Sequence, residues 1–407
     1  MNPWKGLKVL PKEMWVISLA ILINRMGTMV LPFLVIYLTN RIGLKAGSAG
    51  FVITFYGLGA LITAPFVGKL SDKIGAPTLM KASLFLTGIA LILYPFFTSY
   101  TSILAITLVW AVVSEAFRPA SLSITSALVP AENRKTAFAL NRLMINLGMS
   151  IGPVLAGFLI ERSFSLIFYI DATTSILAGI FLLAFPVKIK EVHKDGSSHV
   201  VHDNILKDRI FLYFLISWIP ALIVMFQSLG AMPIFLTHDL KFPASNVGLL
   251  FAINTVIIIF VEVPLNTAMS KWTYRKSLSL GALLFAIGYG AMALAENLYA
   301  IALTIVIWTF GEMILFPASA AYTSEIAPDK KRGEYMGLYQ MMFSLGFTLA
   351  PWLGTKIYEL YGAQVLWGVI FICGAISSFM MLKIKERPFA LDTYERSNEM
   401  ESKKEKL

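Results

Sequence analysis

Seven ionisable side chains interrupt stretches that are otherwise apolar: Arg25, Glu115, Arg118, Arg142, Asp171, Glu262 and Glu312. A charge carried into hydrocarbon costs about 2.5–3.5 kcal/mol by insertion scales, so such groups mark ion paths, proton relays or ligand sites. Four acids against three arginines leave one negative charge uncompensated if all seven are ionised. Arginine keeps its proton, so the adjustable charge belongs to a carboxylate. Burial favours a neutral carboxyl and a nearby arginine favours a charged one. The chemistry on offer is therefore reversible proton carriage, switched when a carboxyl gains or loses its partner. No P-loop, HExxH motif or nucleophile elbow is recognised, so enzymatic chemistry is not expected.

The elements that position these groups follow from composition. With 407 residues, 57% hydrophobic and 14% charged, the chain has more apolar side chains than one globular core can hide. Apolar runs of about 20 residues, enough to cross a bilayer, begin near residues 14, 48, 79, 101, 137, 165, 210, 245, 276, 298, 335 and 362. Gly and Pro within them are tolerated in membrane helices, and barrel-like alternation is absent. The expected fold is an all-α integral membrane protein of twelve transmembrane helices in two pseudo-symmetric six-helix bundles. The formal charge of +10 is explained by topology rather than nucleic acid. With the N-terminus inside, about 26 Lys and Arg fall on one side by the positive-inside rule, whereas the opposite connections hold Arg41, Lys45, Arg162 and Lys241. Both termini are therefore expected in the cytoplasm of a bacterial inner membrane. The first apolar run is expected as a retained helix rather than a signal peptide. Cys373 stands alone, so no disulfide framework is expected.

Across some 120 residues, a shift of 198 lines the second half up with the first without a gap at structurally demanding positions. Pro119, Pro130, Arg134, Leu140, Gly148 and Pro153 fall on Pro317, Pro328, Arg332, Leu338, Gly346 and Pro351, and Leu38-Thr39 and Gly50 fall on Leu236-Thr237 and Gly248. Prolines and glycines in one register imply two copies of one backbone. The expected division is an N-terminal bundle over 1–187, a cytoplasmic linker over 188–208, a C-terminal bundle over 209–384 and a charged tail over 385–407. His193, His199 and His202 in the linker offer metal-binding nitrogens, but no Cys or carboxylate cluster completes a site, and a solvated linker is the expectation.

Between the second and third runs stands Gly68-Lys69-Leu70-Ser71-Asp72-Lys73-Ile74-Gly75. It resembles the G-x-L-x-D-R/K-x-G signature loop of the major facilitator superfamily. Its glycines suit a tight turn, and Asp72 suits a helix start. The second-half copy, from Asn266 to Thr273, has lost the glycines and the aspartate. The resemblance implies that Arg134, repeated at Arg332, braces Asp72 and closes the cytoplasmic side; positive-inside topology is the alternative reason for both arginines. Gly148-Met149-Ser150-Ile151-Gly152-Pro153, leading to Gly157, is similar to the later part of the antiporter motif, in which small residues allow close helix approach. The second half has Ala350 and Thr355 where Gly152 and Gly157 stand, an asymmetry that resembles drug/proton antiporters.

The resemblance places helices 1, 4, 7 and 10 around a central cavity, and so Arg25, Glu115, Arg118 and Glu312 on its walls. Glu115, Glu312, Asp171 and Glu262 are the candidate proton carriers. Glu115 has a second reading, as a partner neutralised by Arg118 three residues on; Asp171 and Glu262 have one as packing or gating residues. Arg142 is read as bracing the cytoplasmic half. Asn24, Asn146 and Gln227 are either substrate contacts or interhelical hydrogen bonds. The implied function is a secondary active transporter exporting small amphipathic drugs or metabolites against protons by alternating access, as a monomer, with H+ as coupling ion and no cofactor or metal. The alternative is a proton symporter importing a peptide, amino acid or other nutrient. Asn24-Arg25-Met26-Gly27 resembles the helix 1 arginine of peptide transporters, but Leu22 and Ile23 replace the acids preceding it there. A non-transporting receptor or scaffold is disfavoured because the intramembrane charges are present.

Overall fold

A computed structural model describes residues 10–129, 134–187, 205–269, 272–328 and 331–385. The three linker histidines and nearly all of the charged tail lie outside them. Every span forms as helix: α1 (Lys12–Arg41), α2 (Ala46–Ile74), α3 (Ala76–Phe96), α4 (Tyr100–Glu115, continuing as Phe117–Leu128), α5 (Arg134–Arg162), α6 (Phe164–Ala184), α7 (Arg209–Asp239), α8 (Ala244–Ala268), α9 (Tyr274–Leu294) and α10 (Leu298–Ile326). The last helical stretch, Arg332–Met381, is broken at Gly362, where φ is 79°. It supplies α11 (332–361) and α12 (363–381). The twelve-helix expectation therefore holds for the described residues.

Local chemistry explains where several helices begin. Ser99, Asp208, Thr273 and Asn297 each accept a backbone N–H from the first turn of α4, α7, α9 and α10 through their side chains, satisfying donors that hydrocarbon would leave unpaired. Phe260 remains more than 70% exposed, as expected for a side chain solvated by lipid.

The 198-residue repeat extends to individual hydrogen bonds. α1 and α7 each end in a five-residue π-helical turn, Tyr37–Arg41 and Phe235–Asp239. Leu44 donates to the Leu38 carbonyl as Phe242 donates to Leu236, both at 2.9 Å. Gly43 then has φ 82°, and its counterpart Lys241 adopts φ 55° without being glycine. The same backbone turn is required in both copies, and in the second a lysine accepts the strain.

The halves meet along two equivalent seams, α2 against α11 and α5 against α8. A Cβ on Gly50 would lie 3.0 Å from the Pro351 carbonyl oxygen, and one on Gly248 would lie 2.3 Å from that of Pro153. Repeated glycine and proline thus permit backbone contact between halves.

The signature loop departs from expectation. α2 runs unbroken through Gly68 and Asp72 to Ile74, so the turn is made by Gly75 alone, at φ 81°. Asp72 ends α2 rather than starting α3, and Lys73 is exposed. The apolar residues of this segment extend the helical pattern further than its glycines suggested. The side chains of Asp72 and Arg134, and with them the expected bracing pair, lie outside those described.

Candidate functional site

Charged residues inside the bundle fall into distinct settings. Asp171 of α6 is 6% exposed and faces the break in α1 after Met26. One of its carboxylate oxygens accepts the Met29 and Val30 backbone N–H groups at 3.2 and 3.3 Å. It caps the resumed helix, which makes the break possible in an apolar setting.

Glu115 accepts the Tyr56 hydroxyl from α2 at 2.9 Å, and Tyr56 also meets Ser114 at 3.0 Å. α4 is interrupted at Ala116, and no ion pair joins Glu115 to Arg118 among the described residues. In the second half, Asn254 of α8 donates to Glu312 of α10 at 2.9 Å and to Thr309 at 3.0 Å. Tyr56 and Asn254 are 198 residues apart, as are Ser114 and Glu312. Each half therefore holds one acid with a neutral donor from the same position of the adjacent helix. Sequence reading missed Tyr56 and Asn254; the repeat register, applied to polar residues facing the acids, was the signal that locates them.

Arg142 of α5 pairs with Glu262 of α8 across the halves. Its repeat counterparts are Gln340 and Ala64, so this ion pair has no twin in the second seam. Asn24 donates to Ser175 of α6 at 3.2 Å, and fully buried Gln227 donates to the Ala350 carbonyl at 3.0 Å. Both therefore serve interhelical hydrogen bonds, one of their two expected roles.

Three cavities adjoin these groups. One of about 360 Å³ reaches both halves and is lined by Tyr56, Glu115, Arg118, Phe226 and Phe347. A second, of about 400 Å³, is lined by Arg25, Arg118 and Arg142. A third, of about 500 Å³, lies between α5, α8 and α10 beside Arg142, Asn146, Glu262 and Pro317. Arg118 is common to the first and second, and Arg142 to the second and third.

At the end bearing the α1–α2 and α7–α8 connections, bonds between the halves occur in matched pairs. Glu359 accepts the Gly47 N–H at 2.7 Å, and Glu161 accepts the Ser245 N–H at 3.1 Å. Both glutamates and both recipients are 198 residues apart. Each side chain caps the first turn of a helix in the other half, where the helix dipole favours an anion. Asn40 meets His238, and Tyr358 donates to Asp239 at the same end.

In the α5 motif, a Cβ on Gly152 would stand 3.1 Å from the carbonyl oxygens of Met26 and Thr28, and one on Gly157 would stand 2.5 Å from that of Ala244. Gly148 likewise packs on Arg25. The motif admits the broken α1 and the start of α8 to backbone distance. Gly148-Met149-Ser150-Ile151-Gly152 also has the letters of a nucleophile elbow. It lies inside a continuous helix, however, and Ser150 donates to the Leu147 carbonyl at 2.7 Å, so it is no elbow.

The family model described as Major Facilitator Superfamily matches residues 17–230 and 210–399. The chain is 24% identical over 359 residues to the "Na(+), Li(+), K(+)/H(+) antiporter" of Planococcus maritimus, covering 79% of this chain and 84% of that protein. It is 23% identical to "Multidrug resistance protein 2" of Bacillus subtilis (strain 168), covering 78% and 81% respectively. The crystal structure of the nucleoside transporter NupG superposes with a TM-score of 0.77 at 13% identity, covering 93% of this chain and 100% of that one. At that identity the likeness speaks to fold alone.

Proposed function

The chain belongs to the major facilitator superfamily, a multi-pass membrane transporter and not an enzyme, and from that premise we propose proton-coupled export of small amphipathic molecules by alternating access. The observation carrying the coupling is the setting of Glu115 and Glu312. Each is held by a neutral donor, Tyr56 or Asn254, rather than by an ion pair. Such an acid can take up or release a proton without leaving a buried cation unpaired, a loss that makes broken buried pairs costly. Glu262, paired with Arg142, lacks that freedom.

The sealed end, with its reciprocal Glu161 and Glu359 caps, is assigned to the outside, and the end bearing the basic connections to the cytoplasm. Opening of the sealed end requires both caps to part while the halves rock about the Gly50–Pro351 and Gly248–Pro153 seams. Similarity to a multidrug resistance protein and a cation/H+ antiporter favours export over uptake. The transporting unit is taken as a single chain, whose own residues line the cavities beside the charged groups.

The test is proteoliposome flux under an imposed proton gradient. Extrusion of substrate against inward proton flow supports export, and accumulation of substrate together with protons overturns it. Substrate-induced proton movement should fall by roughly tenfold in Glu115→Gln or Glu312→Gln. Unchanged proton movement in both variants removes these acids from the mechanism.

A further inference from the structure

The fixed charges on the first-half cavity are all of one sign. Arg25, Arg118 and Arg142 line the same space of about 400 Å³, and Phe117, Phe138 and Met149 supply apolar wall. Arg142 is committed to Glu262 across the halves. Arg25 and Arg118 are not: among the described residues neither guanidinium makes an ion pair or hydrogen bond. Arg25 Nε is buried and has no acceptor. The bundle's other acids are engaged elsewhere, Glu115 with Tyr56, Asp171 with the α1 break and Glu312 with Asn254.

Depth argues against a purely topological role. Arg25 follows Lys12, where α1 begins, and Arg118 precedes Leu128, where α4 ends, by enough residues to set them about 20 Å and about 15 Å from the basic end at 1.5 Å per residue. Positive-inside charges sit at helix ends. Half-buried Arg25 and cavity-exposed Arg118 keep donors free while the nearby acids, Glu115 and Asp171, are held by Tyr56 and by the α1 break, so both arginines can receive a counter-charge. Guanidinium is suited to receiving it, because its planar fork matches carboxylate and phosphate oxygens.

We infer that Arg25 and Arg118 form an anion subsite, and that the transported molecule is an amphipathic anion. Its carboxylate or phosphonate group meets the two arginines, and its apolar body lies against Phe117, Phe138 and Met149. An organic cation is repelled from the same place. The inference rests on the transport reading for its location and narrows the substrate class.

The test is equilibrium binding to the purified full-length protein in detergent, with no gradient, so that failure of proton coupling and failure of the subsite are read separately. The probes are 1-naphthoate, the neutral 1-naphthamide and the cationic 1-naphthylmethylammonium. Naphthoate is expected to bind about tenfold or more tightly than naphthamide, and the ammonium most weakly. Arg25→Gln and Arg118→Gln should each bring naphthoate binding down to about that of naphthamide. Arg118→Lys, which keeps a cation on the wall, should retain part of it and shows that the position tolerates substitution. Equal binding of all three probes overturns the inference, as does failure of naphthoate to bind. A preference that survives in monodisperse Arg25→Gln and Arg118→Gln proteins overturns it as well.

Discussion

The four intramembrane acids share a side-chain type with two distinct tasks, and partners separate them. Asp171 accepts two backbone N–H groups where α1 resumes. Asp171→Ala should therefore destabilise the protein by about 0.5–2 kcal/mol, the usual worth of a helix cap, read as a lower unfolding temperature in detergent. Asp171→Asn keeps an acceptor and should recover much of that stability with proton movement intact. If Asp171→Asn is stable but no longer moves protons, Asp171 belongs among the carriers. For Tyr56→Phe and Asn254→Ala, substrate-driven proton movement should be slowed several-fold rather than abolished, because the acids remain and only their donors are lost. The charged residues were legible in the sequence because any charge in an apolar run stands out. Their partners were not. Arg142 and Glu262 lie 120 residues apart, and Tyr56 is one aromatic residue among many until Glu115 is seen beside it.

Among the elements, the repeat was readable at its prolines and glycines, and the structure carries it down to the π-helical turns closing α1 and α7. The signature segment was less legible. Its glycines suggested a loop, yet only Gly75 takes a left-handed conformation, and α2 continues through Gly68. Sequence patterning does not distinguish a glycine that turns the chain from one that admits a neighbour. Gly152 and Gly157 are of the second kind, facing the broken α1 and the start of α8. Gly152→Val or Gly157→Val should cost about 1–3 kcal/mol through overpacking, with lost transport and a lower unfolding temperature. Normal transport in both variants removes the motif from the moving seam. The reciprocal caps were also invisible in sequence, since Glu161 and Glu359 sit at helix ends where acids are common. A Glu161→Gln/Glu359→Gln double variant should loosen the sealed end. Spin labels at positions 42 and 240, on a Cys373→Ser background, should report a larger long-distance population than in the parent protein. Identical distance distributions contradict the latch.

For the whole molecule, pseudo-symmetry and its departures divide the labour. The α2–α11 and α5–α8 seams are alike in backbone contact, which suits rocking of one half against the other. The chemistry is unequal. The first half holds the arginine-lined cavity and the glycine-rich α5, whereas the second contributes Glu312 and the partner of Arg142. The fold was accessible from sequence because hydrocarbon dictates span length and the repeated prolines and glycines mark two copies of one backbone. Substrate and direction depend on side-chain geometry in a cavity assembled from several distant segments, which hydropathy does not encode. The central claim is that substrate and protons cross in opposite directions in one cycle. The most direct measurement records both fluxes in the same proteoliposomes, with an entrapped pH indicator and labelled substrate under an imposed proton gradient. Opposed movement, with the proton component lost in Glu115→Gln or Glu312→Gln, is the predicted result; parallel movement of substrate and protons, or substrate flux indifferent to the gradient, contradicts it.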